Sequence, residues 1–185
     1  MAAYKLTGTK TFMGQDTYGV NTNLRRNGKK IATYVNDGSG GPSFIDWVST
    51  DEQQFTAEIT PFMIELWEQE WEIEKDSGIY NDWDNFLNSR MNFDEGIWMW
   101  FIEHLLELEA DTDEIKRSKP SMNQNVWKII TYGPSPIQRG KTYHFNAPKN
   151  MAEEEVRAQL EDMSEMKSGI ASLRVLSENK ELVIN

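Results

Sequence analysis

The apolar positions change period twice along the chain. Between residues 4 and 48 they alternate, or come in short runs broken by turn residues, which predicts strands. Between residues 50 and 119 they recur every three or four residues, which predicts helices. From residue 120 the two-residue period returns around one helical stretch. The order β-β-β, helices, β-β, α, β predicts an α+β fold. Its mainly antiparallel sheet is built from both chain ends, with a helical lobe inserted between them. The 185 residues are expected to form a single domain: a β-meander at 1–49, the helical insertion at 50–119 and a closing β-β-α-β segment at 120–185.

Within the meander, read as three strands over residues 4–48, Asn27 and Gly28 give the strongest local signal. Both accept the positive φ values of a type I′ hairpin turn. Pairing outward sets Leu24 opposite Ile31 and Val20 opposite Val35 on one face. Asn23 with Ala32 and Asn21 with Tyr34 fall on the other, as a half-buried hairpin needs. The same register sets Arg26 against Lys29 and Arg25 against Lys30, like charges that repel by about a few tenths of a kcal/mol. Either that tip is solvated, or it faces an acidic neighbour, this chain's own helices or another copy. The run from Asp37 to Pro42 then offers Gly38, Gly40 and Gly41 as a backbone nest for an anion. No helix, Lys and Ser/Thr follow at the offsets of a phosphate loop, so a flexible strand connection is the plainer reading. Residues 44–48 follow as a third strand or an extended segment.

Thr50, with Gln53 three residues on, opens the helical part as a capping box. Phe55, Ile59, Phe62, Leu66 and Ile73 mark its apolar side. Pro61 makes the segment either one kinked helix or two, and Asp76 to Gly78 end it. A second helix at Asp82 to Met91 buries Trp83, Phe86 and Leu87. A third, capped by Asn92 and Glu95, is apolar on nearly every side from Ile97 to Ile102, so it belongs inside a core. Later come strands at Asn125 to Tyr132 and Lys141 to Asn146. A helix at 151–167, capped by Asn150 and Glu153, turns Val156, Leu160 and Met163 inward and stops at Gly169. Strands at Leu173 to Leu176 and Leu182 to Ile184 close the chain.

Charge divides the chain. Residues 50–114 hold nineteen Asp and Glu against Lys75 and Arg90, about seventeen negative charges, and the remainder sums to about plus six. A net charge of −11 disfavours direct binding to nucleic acid or an anionic membrane. The run Ile97 to Ile102 is too short to span a bilayer, and the amino terminus has no apolar signal segment. With no cysteine there is no disulfide, thiolate metal site or Cys nucleophile, and a reducing cytoplasm suits the chain.

Candidate chemistry is thin. His144 alternates with Tyr143 and Phe145 and is expected to point away from their buried side. His104 has Glu107 one turn on, but a zinc site wants three convergent ligands, so a half-buried structural role is expected. No nucleophile elbow, S-x-x-K or Walker lysine occurs. The sequence implies no metal, no cofactor and no catalytic residue, and a carboxylate-based hydrolase ranks third among the readings. The leading candidate is a partner-binding set. Glu65, Glu68, Glu72 and Asp76 share one helical face, and Glu107 and Glu109 join from the third helix. The set is either a solvated face or a ridge imitating DNA. One such helix carries a charge per ~5–6 Å against ~1.7 Å for duplex DNA, so several helices or a homodimer would be needed. The alternative is a small-molecule or nucleotide binder. There Arg25, Arg26, Lys29, Gly38, Gly40 and Gly41 would hold an anion beside a pocket at Trp98 or Trp100.

The runs TFMGQDTYGVN at residues 11–21, NGKKIA at 27–32 and NDGSGG at 36–41 resemble the start of small accessory proteins carried by bacteriophages and plasmids. The likeness covers about the first forty-eight residues and, more loosely, the closing α-β stretch. It implies a setting and brings no catalytic residue with it. In that setting small acidic proteins often inhibit host nucleases or other defence proteins, so the implied partner is a host protein.

Overall fold

The computed structural model describes residues 1–48, 52–75, 80–91, 96–132, 141–163, 166, 169–176, 178 and 181–184. Within them are four helices and eight strands in two antiparallel sheets, an α+β fold. The caps expected at Thr50 and Asn92, and the stop at Asp76 to Gly78, lie outside the described residues. The chain forms two compact units. One holds Met1–Gln69, Leu87–Glu109 and Asn179–Asn185, the other Glu70–Phe86 and Ala110–Glu178. The stretch expected as one helical insertion is divided between them.

The first unit carries a five-stranded sheet, β4-β3-β2-β1-β8, from β1 (Ala2–Met13), β2 (Tyr18–Arg26), β3 (Lys29–Asn36), β4 (Phe44–Trp47) and β8 (Leu182–Ile184). The meander thus has four strands where three were expected, because β1 pairs with β2 along most of its twelve residues. β8 pairs with Ala2 to Tyr4, so this sheet does draw on both chain ends. The hairpin turn has the expected positive φ at Asn27 (49°) and Gly28 (79°). The tip pairs Arg26 with Lys29 and Arg25 with Lys30, but Leu24 pairs with Ala32, not Ile31. A bulge inserts one extra residue there, which shifts the rest of the register by one. Ile31 and Ala32 are therefore both buried, and Tyr34, expected on the polar face, lies in the core.

Helix α1 (Glu52–Glu74) is one helix through Pro61. Thr60 Oγ1 donates to the Thr56 carbonyl at 2.7 Å in the turn before the proline. Its buried side is Phe55, Ile59, Met63 and Trp67, a three-to-four residue spacing, while the expected Phe62 and Leu66 are half-buried. The short α2 (Trp83–Met91) buries Phe86. Helix α3 (Ile97–Ser118) buries Ile97, Trp98, Met99, Phe101, Ile102 and Leu105. The aromatic rings fix how α1 and α3 meet the sheet. Tyr4 meets Phe101 edge-on at 5.1 Å and Phe55 at 5.8 Å, and Trp47 meets Phe55 at 5.0 Å. Such pairs are worth about 0.5–1.5 kcal/mol beyond the area they bury.

The second unit holds a three-stranded sheet, β6-β5-β7, from β5 (Gln124–Thr131), β6 (Thr142–Pro148) and β7 (Ile170–Val175). These strands do not extend the first sheet but form one of their own, with β5 paired to β6 on one side and β7 on the other. On one face Trp127, Ile129 and Leu173 pack with Val156 and Leu160 of α4 (Glu153–Glu161). On the other, Val126 and Leu176 pack with Ile115 of α3. Helix α4 is shorter than the expected 151–167. Its cap is Ala152, whose N–H donates to Glu155 at 3.0 Å, in place of Asn150 with Glu153. Met163 is exposed, and Met166 takes the buried place expected for it.

Candidate functional site

The carboxylates proposed from the sequence have different surroundings. Glu65 and Glu68 are exposed on one side of α1, three residues apart and so on one helical face. No cation pairs with either among the described residues. Glu72 is exposed but bound by Lys75. Glu109 is half-buried and accepts a hydrogen bond from Thr9 Oγ1 at 2.7 Å, a hydroxyl that also meets Thr22 Oγ1 at 2.9 Å. Glu107 is half-buried and has an interaction of its own. Asp76 lies outside the described residues. Upstream of Glu65 the exposed line of α1 runs through Gln54, Ala57 and Pro61, all uncharged. The ridge is thus shorter than its sequence spacing suggested.

The alternative anion set does not converge. Arg25 Nε donates to Thr7 Oγ1 at 3.0 Å and Nη1 to the Gly28 carbonyl at 2.6 Å. Arg26 is paired with Glu58 at 2.7 Å, and Lys29 is exposed at the tip. Gly38 N–H donates to Asn36 Oδ1 at 2.9 Å. Ser39 donates both its N–H (2.9 Å) and its hydroxyl (2.6 Å) to Asp37 Oδ1, so the loop's own carboxylate occupies its donors. Those bonds, the Ser39 hydroxyl first, hold the Asp37 carboxyl below the usual range. Nor is this loop a loose connection. The Asp16 and Thr17 N–H groups both donate to the Gly38 carbonyl at 2.9 Å, and a Cβ at Gly38 would meet the Thr17 carbonyl at 2.5 Å. Gly40 and Gly41 are exposed. The hairpin tip and the glycine loop flank the two ends of the eight-residue β3, about 25 Å apart at the rise of an extended strand. Beside Trp98, the place considered for a pocket is taken by Tyr34, with ring centres 6.2 Å apart.

The second unit contains a cluster that periodicity did not reveal. Lys128 pairs in register with His144 on one side and Arg174 on the other, a row across all three strands. The buried Asp111 of α3 lies 2.8 Å from Arg174 Nη1 and 3.6 Å from Lys128 Nζ. Glu114 lies 2.9 Å from Arg117 Nη2 and 3.6 Å from His144 Nδ1. The i,i+3 spacing of Asp111 and Glu114 and the lysine amid Val126 to Ile130 were the available signals. Asp111 stands beside Lys128 and Arg174, and Glu114 beside Arg117 and the His144 ring, so the cluster serves as a polar layer joining α3 to the sheet. His144 sits on the face opposite Tyr143 and Phe145, which pack toward α4. The His104 ring is 5.6 Å from that of Phe62.

Among the described residues no three His, Asp or Glu side chains come together as a metal-ligand set, and no helix is long and apolar enough to cross a membrane. No protein-family model matches the chain, and neither a curated protein nor a solved structure shows significant similarity to it.

Proposed function

We propose that this chain is a non-enzymatic binding protein that docks a basic surface of a partner protein through Glu65 and Glu68 of α1. The supporting observation is a contrast between carboxylates. Among the described residues Glu58, Glu72, Glu109, Asp111 and Glu114 are each held by another side chain, whereas Glu65 and Glu68 are exposed, hold no cation and, unlike the similarly open Glu52 and Asp84, share one helical face. Like charges at this spacing repel by about a few tenths of a kcal/mol, a cost that a cation from a partner removes. The two charges are separated by ~4.5 Å of helical rise, sparser than duplex DNA at ~1.7 Å per charge. The patch therefore suits a local basic site better than a whole nucleic-acid channel. The phage or plasmid setting that the resemblance implies makes a host nucleic-acid-binding defence enzyme, inhibited in the bacterial cytoplasm, the first partner class to test.

The test is affinity capture from bacterial lysate at low and high salt, run in parallel with wild type and with Glu65→Lys/Glu68→Lys. The expected result is a protein retained by wild type at low salt, released at high salt and not captured by the variant. The same proteins retained by both chains, indifferent to salt, would sink the reading.

A further inference from the structure

The five-stranded sheet of the first unit uses one face for the core and leaves the other open, and the pairing registers say what stands there. Lys5, Arg25 and Lys30 form one row across β1, β2 and β3. Thr7, Asn23, Thr33 and Asp46 form the next, extending onto β4. Lys10, Asn21, Val35 and Phe44 form a third, and Phe12 stands across from Gly19 beyond it. Their alternates Tyr4, Leu6, Thr22, Leu24, Ala32 and Tyr34 are the buried ones. Lys10 and Asn21 are exposed, as are Phe44 (60 %) and Phe12 (42 %).

Three properties of this face point the same way. Its charge opposes that of the chain: Lys5, Lys10, Arg25 and Lys30 stand in its rows against Asp46. Helices α1 and α3 pack on the opposite face, a layer of about 10 Å away, so their carboxylates act on it through roughly a Debye length at physiological salt. One of its exposed aromatics, Phe12, is held in place. The Phe12 ring lies over Gly19, where any Cβ would collide with it. Phe44 stands three strands away, about 15 Å at sheet spacing. Between the rings and the cations lie amide and hydroxyl groups, Asn21, Asn23 and Thr33.

We infer that this open face binds single-stranded nucleic acid, independently of the α1 carboxylates. Unstacked bases lie on Phe12 and Phe44, phosphates meet Lys5 and Lys10, and the Asn21 amide meets a base edge. Rings spaced along a basic open sheet suit splayed bases. A duplex would need an element projecting into a groove, and a flat sheet face offers none. An acidic peptide would satisfy the lysines and leave both exposed rings unused.

The test is fluorescence anisotropy of a short labelled oligothymidylate titrated with the full chain at several salt concentrations. Two phosphate contacts predict a log–log salt slope of about −1.4, at ~0.7 per contact on a single strand. Lys10→Gln should reduce that slope by about 0.7. Phe44→Ala should weaken binding about tenfold at unchanged slope, and Phe44→Trp should restore it. Both Phe44 substitutions are on an exposed side chain, and near-ultraviolet circular dichroism checks that they leave the fold intact. No binding, full affinity in Phe44→Ala, or polyglutamate competing as well as the oligonucleotide would each overturn the inference. The last result would assign the face to an acidic protein segment.

Discussion

Arg26 at the hairpin tip closes on Glu58 of α1 at two points, with Nη2 2.7 Å from Oε2 and Nε 3.2 Å from Oε1. The tip sets four cations in two like-charged pairs; an acidic helix of the same chain meets one of them, Arg26, while Lys29 is exposed to solvent. The pair is partly exposed, so it is worth no more than about 1 kcal/mol. Glu58→Gln is expected to destabilise the first unit by about that amount, with most of the loss disappearing in molar salt. Urea unfolding with and without salt measures this. A loss that salt does not diminish would mean that Glu58 acts by packing.

Beneath that pair lies Tyr4, fully buried, with no hydrogen-bond partner for its hydroxyl among the described residues. Burial first, then the Glu58 carboxylate nearby, pushes this phenol well above the usual value near 10. Because the folded pKa is the higher one, the stabilisation is fully present below about pH 10. It is lost as the pH rises toward the folded value. Tyr4→Phe should therefore flatten the alkaline fall in stability. Equal alkaline sensitivity in the two proteins would refute this origin.

The Asn27-Gly28 turn, the like-charged tip and the buried Ile97–Ile102 turn of α3 were legible because each is fixed by neighbours in sequence. The bulge at Ile31 was not. Ile31 and Ala32 are both apolar, so alternation cannot tell which is the extra residue, and one residue of slip exchanges the faces beyond it. The glycine loop was legible as a loop but not as a clamped one, because the backbone that holds Gly38 comes from Asp16 and Thr17. The acidic set suffered in the same way. Helical spacing places Glu109 beside other acids, whereas tertiary structure gives it to Thr9, a hundred residues earlier. Local pattern thus found the elements and the charge division, and pairing across the fold decided which charges stay free.

Asp111 carries the polar layer of the second unit, with Arg174 and Lys128 both on it. Removing this buried carboxylate takes a nearby opposite charge from both cations, and breaking buried pairs typically costs about 3–5 kcal/mol. Arg174 is partly open to solvent, so Asp111→Ala is expected at or below the lower end, about 2–3 kcal/mol. Adding Lys128→Met to that variant removes the more buried cation and should recover part of the loss. Denaturant unfolding of both variants tests the sign. A double variant less stable than Asp111→Ala would show that Lys128 contributes through something other than this carboxylate.

Pro61 stands within α1, where it has no N–H to offer the carbonyl of Ala57 and its ring crowds that same turn. The helix survives because Phe55, Ile59, Met63 and Trp67 bury one side of it on both sides of the proline, at about 1.5–3 kcal/mol for each large side chain fully buried. Pro61 itself is exposed, so its replacement removes no core contact. Pro61→Ala is therefore expected to stabilise the protein by about 1–3 kcal/mol. That corresponds to a rise in Tm of roughly 2–4 °C per kcal/mol for a chain of this size. Thermal unfolding followed by the helical circular dichroism signal measures it. A fall in Tm instead would mean that the bend at Pro61 is what fits the apolar side of α1 to the sheet, and that a straight helix fits it less well.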